Sequence, residues 1–217
     1  MLSLAEENYL KTIYHLSDGG SKEVLTNQIA EAMKTKAASV TDMLKKLSVK
    51  NFISYEKYYG VTVTKHGKSE ALNVIRKHRL WETFLVQKLR FNWDEVHEIA
   101  EQLEHIHSPI LIRKLDEFLG YPTTDPHGEP IPDHNGNVNV QAQQPLNGLG
   151  PGYKGEIIAV KDSDSTLLKY LNKIGAVPGK KIAVISKEEY DESLEIEIET
   201  KRISISKAVS KKILVAV

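Results

Sequence analysis

The apolar pattern of this chain changes period along its length. As far as Gly120, one short β-rich stretch apart, large apolar residues recur at helical spacing, and beyond Lys154 they alternate as they do in strands. A 3.6-residue repeat paints one stripe along a helix, whereas a two-residue repeat paints one face of a sheet. The two cannot share one layer. Between them lies "YPTTDPHGEPIPDHNGNVNVQAQQPLNGLGPG", rich in proline, glycine and amides and without a period. The expected class is therefore α+β with more than one domain, joined by a linker.

The helical part reads as two blocks. In the first, "SLAEENYLKTIYHLSD" is a helix ended by "SDGGS", "TNQIAEAMKT" a short helix capped by Thr26, and "AASVTDMLKKLSVKN" a helix with Val40, Met43, Leu44 and Leu47 on one face. "FISYEKYYGVTVT" then reads as a hairpin turning near Tyr59-Gly60, and a further helix starts from Thr64. Helix, short turn, helix and hairpin form a winged helix-turn-helix pattern, in which the second helix of the pair enters the major groove. Lys36, Ala38, Ser39 and Asp42 lie near its N-terminal end, where base edges are read. Lys45 and Lys46 sit further along, to meet phosphates, and Tyr58 and Tyr59 form the wing tip. Eight lysines against two acids between Lys34 and Lys68 suit such a face.

The second block is helical throughout: a long helix over "ALNVIRKHRLWETFLVQKL", a second over "NWDEVHEIAEQLEHIHS" capped by Asn92 with Glu95, and a third over "PILIRKLDEFLG". Its apolar excess predicts a homodimer. The last block offers five short strands and the helix "STLLKYLNKIG", which predicts a small β-barrel.

"VHEIAEQLEHIHS" crowds three histidines and three glutamates into one stretch with no lysine or arginine. With His97 at zero on a helical wheel, Glu101, Glu104 and His105 fall at about 40°, −20° and 80°, opposite an arc of apolar residues. His107 falls on the core side. The preceding helix adds His78 and Glu82, an i, i+4 pair on one face. Carboxylates and imidazoles on two neighbouring helices point to a metal site. The chain contains no cysteine, which excludes disulfides and thiolate ligands. No apolar run is long enough to span a membrane, and the acidic start does not resemble an export signal. The expected location is the cytoplasm.

"RKHRLWETFL" followed by "VHEIAEQLEHI" resembles the paired metal-binding helices of the diphtheria toxin repressor family of metal-dependent regulators. "EENYLKTIY", "SYEKYYGVTVTKHGK", "PHGEPIP" and "LNKIGAVPGKKIAV" extend the resemblance over essentially the whole chain. It implies a winged-helix DNA-binding domain over 1–71, a helical dimerisation and metal-binding domain with its loop over 72–140, and a linker with an SH3-like, FeoA-type domain over 141–217. It further implies a primary metal site of Glu101, Glu104 and His105 with Asn8, and an ancillary site of His78, Glu82 and His97. To the latter Asp164 (or Asp162) would lend a carboxylate, and the loop of Asp125 and His127 can approach it.

The chain departs from the family's pattern at defined places. Iron-type members resemble one another in a methionine at the position of Asn8 and a cysteine at that of Glu101; manganese-type members carry acids at the positions of Asn8 and Lys11. The resemblance therefore implies one primary and one ancillary ion per subunit, Mn²⁺ first and Fe²⁺ as the alternative. The expected function is repression of metal-uptake genes by a homodimer on double-stranded operator DNA, without enzymatic activity. Two rivals remain: a carboxylate-bridged metalloenzyme, for which only one Glu-x-x-His ("EHIH") is present, and a winged-helix regulator of an organic ligand.

Overall fold

The computed structural model describes residues 2–56, 59–139, 141–161 and 164–216. The chain forms two compact units, one of Met1–His78 with Leu103–His107 and Pro132–Asn137, the other of Arg79–Gln102, Ser108–Ile131 and Val138–Val217.

In the first unit α1 (Leu4–Leu16) opens with a capping box between Ser3 and Glu6 and buries Tyr9, Leu10 and Ile13. In α2 (Thr26–Ala32) the N-cap is Leu25 rather than Thr26, and the Gln28 side chain accepts from the Leu25 N–H at 2.8 Å. The glutamine thus serves the N–H of the N-cap residue itself, and no side-chain oxygen caps the N–H groups of the first turn. The third helix, α3 (Ala37–Val49), turns Val40, Leu44 and Leu47 inward. Strands β1 (Ile53–Glu56) and β2 (Gly60–Val63) pair antiparallel from Ile53↔Val63 to Glu56↔Gly60, and Val24 bridges to Val61 on the other side. Leu10, Ile13, Ile29, Val40, Leu44, Leu47 and Val61 are all fully buried. Each such side chain contributes roughly 1.5–3 kcal/mol of burial free energy.

The sequence placed a block boundary at Leu72, but Lys65–Gln87 is one continuous helix of 23 residues, α4. Thr64 caps it by accepting from the Gly67 N–H at 3.0 Å. A Cβ on Gly67 would lie 1.9 Å from the Phe52 carbonyl oxygen, so only glycine lets the helix start this close to the hairpin. The division between the two units falls inside α4, after His78.

The second long helix expected from the acidic stretch is much shorter. Only His97–Leu103 is helical (α5), and the first helical hydrogen bond runs from Ala100 N–H to the Val96 carbonyl. Asn92 and Glu95 do pair, at 3.0 Å, yet they close a turn and not a helix end. Beyond Leu103 the wheel no longer applies. His107 therefore lies outside any helix, with 37 % of its side chain exposed, and is not a core residue. Pro109 restarts the chain as α6 (Pro109–Phe118), with Ser108 capping the Leu111 N–H.

In the second unit six strands form one antiparallel sheet: β3 (Gln143–Pro145), β4 (Lys154–Val160), β5 (Lys181–Lys187), β6 (Leu194–Ile198), β7 (Lys201–Ile205) and β8 (Ile213–Ala216). Their order is β3-β8-β4-β5-β6-β7, and among the described residues the two outer strands do not pair to close a barrel. Helix α7 (Ser165–Ile174) starts at Asp164 and ends at Gly175, whose φ of 77° is the left-handed conformation of a C-cap. A four-residue helix, α8 (Lys207–Ser210), precedes β8. Leu168, Leu171, Leu194, Ile196, Ile213 and Val215 are fully buried beneath the sheet, and Trp93 joins them. The register of β4 shifts between Ile157 and Ala159. Beside this irregularity the loop around His127 docks: Val160 N–H donates to the His127 carbonyl at 2.9 Å. A Cβ on Gly128 (φ 83°) would sit 1.9 Å from the Ile158 oxygen. No described helix is long and apolar enough to cross a membrane.

Candidate metal centre

Among the described residues each unit holds a group of buried ionisable side chains. In the first, Glu104 follows the end of α5 and is completely buried. Lys11 of α1 donates to both its oxygens, at 2.6 and 2.9 Å, and His78 Nδ1 lies 2.6 Å from Oε2. Burial pushes the Glu104 pKa up, but the His78 hydrogen bond and the charges of Lys11 and His78 outweigh it and hold the carboxyl below its usual range. His105 places Nδ1 2.5 Å from Glu7 Oε2, and Lys77 Nζ lies 3.5 Å from Glu7 Oε1. Its other nitrogen, Nε2, is buried without a hydrogen-bond partner, 3.7 Å from Glu104 Oε1. Asn8 Oδ1 is likewise buried with no partner. Orphaned buried acceptors are costly, and lone pairs of this type are what a divalent cation takes up.

In the second unit Glu82, Asp125 and His127 are buried, with one ligand atom of each within 4.8 Å of the others. His127 Nε2 lies 2.9 Å from the Trp93 carbonyl, to which it donates, so Nδ1 faces Glu82 Oε2 at 3.4 Å. Asp125 Oδ1 accepts from the His127 and Glu129 N–H groups, which shapes "DPHG" into a ligand loop, while Arg79 lies 3.7 Å from Oδ2. Burial and the charges of Glu82 and Glu129 raise the Asp125 pKa to about 7. Burial lowers that of His127, but the hydrogen bond and charge of Glu82 prevail and raise it to about 9. Oxygen and imidazole donors of this kind fit Mn²⁺ or Fe²⁺.

The remaining expected ligands are placed as follows. His97 Nδ1 is 3.3 Å from Glu82 Oε1, and its Nε2 is 3.7 Å from Glu101, which is one-third exposed. His78 meets Glu104. Asp164 caps α7, its Oδ1 accepting from Thr166 and Leu167 N–H, and Asp162 lies outside the described residues. Sequence reasoning gave no role to Glu7, Lys77 or Arg79. Nothing local marks them, because their partners lie far along the chain.

On the proposed DNA face Lys36 is the N-cap residue of α3, and Ala38, Ser39, Asp42, Lys45 and Lys46 are all exposed. Asp42 lies 3.5 Å from Lys45, which moderates its negative charge there. Tyr59 is 72 % exposed at the wing tip, and Tyr58 lies outside the described residues. In the second unit Trp81, Phe84, Leu111, Leu115 and Phe118 line an open apolar groove of about 630 Å³.

Residues 1–61 match the family described as "Iron dependent repressor, N-terminal DNA binding domain", residues 64–133 "Iron dependent repressor, metal binding and dimerisation domain", and residues 144–217 "FeoA domain". A manganese-dependent transcriptional repressor in complex with manganese superposes with a TM-score of 0.89 at 31 % identity, over 97 % of this chain and 99 % of that one. The chain belongs to the diphtheria toxin repressor family. Within that family the Diphtheria toxin repressor of Corynebacterium glutamicum is 28 % identical over 193 residues, 84 % of each protein. The Iron-dependent repressor IdeR of Mycobacterium leprae is 35 % identical over 126 residues, 58 % of this chain. The chain spans about half the length of that relative, 54 %. The family's metal-binding domain takes in both Glu104 and Glu82, and its DNA-binding domain takes in Asn8 and Lys11.

Proposed function

We propose that this chain is a metal-dependent transcriptional repressor that binds operator DNA as a homodimer when loaded with Mn²⁺ (Fe²⁺ as the alternative) and controls metal uptake in the cytoplasm. The observation that carries this reading is the pair of orphaned buried acceptors, Asn8 Oδ1 and His105 Nε2, in the unit that contains the fully buried Glu104. A purely solvated acidic surface does not bury its carboxylates, which counts against the organic-ligand regulator. Glu104, His105 and Asn8 hold the primary ion. Glu82, Asp125 and His127, with His97 beside Glu82, hold the ancillary ion. The three parts proposed for DNA binding, metal binding with dimerisation, and the FeoA-type sheet, at 1–71, 72–140 and 141–217, parallel the family matches at 1–61, 64–133 and 144–217, although the first boundary lies inside α4.

The bound cation supplies the positive charge and open coordination positions that these lone pairs require. Asn8 and Lys11 stand on α1, which shares a core with the DNA-facing α3. Residues that order α1 therefore also order the helix that enters the groove. A groove lined by Trp81, Phe84 and Phe118 gives a second copy of the chain an apolar surface to cover, and two copies set the half-site spacing.

The test is anaerobic DNA binding to the upstream region of its own gene at buffered free Mn²⁺ or Fe²⁺, with a chelator control. Manganese activates the wild type, and Glu101→Cys shifts the response toward iron. Activation by Fe²⁺ alone, with millimolar Mn²⁺ inert, overturns the manganese assignment; DNA binding indifferent to both ions and chelator overturns the function.

A further inference from the structure

Glu7 is a charged residue in the first turn of α1, yet it is only 3 % exposed. A carboxylate so placed needs partners, and it has them on two other segments. Lys77 Nζ, itself 4 % exposed, lies 3.5 Å from Oε1, and His105 Nδ1 lies 2.5 Å from Oε2. A carboxylate only accepts, so Nδ1 must carry the proton in this contact. In the neutral ring Nε2 is then a bare lone pair. That atom is the one buried without a hydrogen-bond partner. Carboxylate, imidazole and an empty acceptor position in line form the arrangement in which an outer carboxylate fixes a metal-binding histidine.

We infer that Glu7 is a positioning residue: it holds His105 with its proton on Nδ1 and its Nε2 lone pair presented to the primary ion, without touching that ion itself. This rests on the primary-site reading above and adds a residue to it. Glu7 immediately precedes Asn8, so one turn of α1 carries a proposed ligand and the residue that orients another. Lys77 holds the opposite oxygen, which prevents the carboxylate from swinging away. The first helix thereby senses the state of His105 directly, through one hydrogen bond.

The test compares wild type, Glu7→Gln and Glu7→Leu. Long-range ¹H–¹⁵N spectra of the metal-free proteins report the His105 tautomer, chelator competition reports Mn²⁺ affinity, and circular dichroism checks the fold. Wild type shows protonated Nδ1. Glutamine, whose carbonyl accepts the same proton, preserves the tautomer and affinity within about threefold. Leucine moves the proton to Nε2 and weakens Mn²⁺ binding by about 10–100-fold, the range for loss of such a partner. A wild type protonated on Nε2, or a folded leucine variant with unchanged tautomer and affinity, overturns the inference. Should the leucine variant not fold, the wild-type and glutamine tautomers decide it: Nδ1–H in both upholds the inference, and any other result overturns it. A wild type that has the expected tautomer but takes up neither Mn²⁺ nor Fe²⁺ overturns the metal reading and leaves the Glu7–His105 pairing standing.

Discussion

Replacing Lys11 by methionine removes the ammonium that balances a fully buried carboxylate while keeping the length of the stem. At the 2.6 Å separation of Lys11 and Glu104, an effective dielectric of about 20 gives a Coulomb attraction of about 6 kcal/mol. Desolvation of the two ions takes back much of this, and breaking a buried pair from one side costs about 3–5 kcal/mol in general. Here the orphaned carboxylate retains His78 at 2.6 Å, and Lys11 is 12 % exposed, so the loss falls to about 2–3 kcal/mol. For a chain of this size that is a drop in Tm of about 5–10 °C in the metal-free protein. Metal binding moves the other way. A cation no longer has to displace the ammonium, so the same free energy appears as Mn²⁺ affinity tighter by up to about 30–150-fold. The assay is paired: thermal unfolding under chelator and with saturating Mn²⁺, and chelator competition for Kd. Lys11→Met with wild-type Tm in chelator and wild-type Kd would refute the reasoning, since the ion pair would then be of no energetic consequence.

The remaining predictions concern the DNA face, the ancillary site and the dimer. Lys45→Ala with Lys46→Ala should weaken binding to all DNA sequences alike and reduce the salt slope by up to about two phosphates' worth; an unchanged slope in filter binding places α3 outside the groove. His127 binds metal only as the neutral ring, and its raised pKa of about 9 means that metal uptake at Glu82, Asp125 and His127 releases a proton at neutral pH. Ancillary affinity should therefore rise by about tenfold per unit between pH 7 and 9 in calorimetry, and a flat profile contradicts it. Without metal the sign reverses: the raised His127 value stabilises the fold fully below pH 6.5 and is lost as pH rises through about 9. Asp125, raised to about 7, acts in the same sense, contributing fully below pH 3.8 and losing that contribution as pH rises through about 7. Phe118→Asp should convert the dimer to monomer in sedimentation of the metal-free protein at micromolar concentration, and persistence of the dimer would place its interface elsewhere.

Regular elements were legible wherever the pattern was long and amphipathic. The helices α1, α3 and α7 and the strands β4–β8 follow their apolar periods, because burying one face is what selects each element. The acidic stretch misled for a reason the period cannot carry. Its apolar spacing continues to Ile106, but the backbone leaves the helix at Leu103, so wheel angles for Glu104 and His105 have no meaning. Strand β3 was missed because Gln143–Pro145 has no apolar alternation; it gains strand character only by pairing with β8. The types of the candidate ligands could be read from composition, but their grouping could not. Glu7 and Lys11 find partners 98 and 93 residues away, a relation that no local signal encodes. The approach of the Asp125 and His127 loop was legible only through the resemblance, and its burial against Glu82 emerged from the fold.

The docking of the His127 loop on β4 bears on how such a chain can gain or lose parts. His127 is fixed at its carbonyl by Val160, and Gly128 is pressed against Ile158. The group of Glu82, Asp125 and His127 thus draws its geometry from the C-terminal sheet, although none of the three belongs to that sheet. A lineage that discarded the FeoA-type module would take away the surface that shapes the loop of Asp125 and His127. One that acquired the module would have only to shape a four-residue loop against it to obtain a second input.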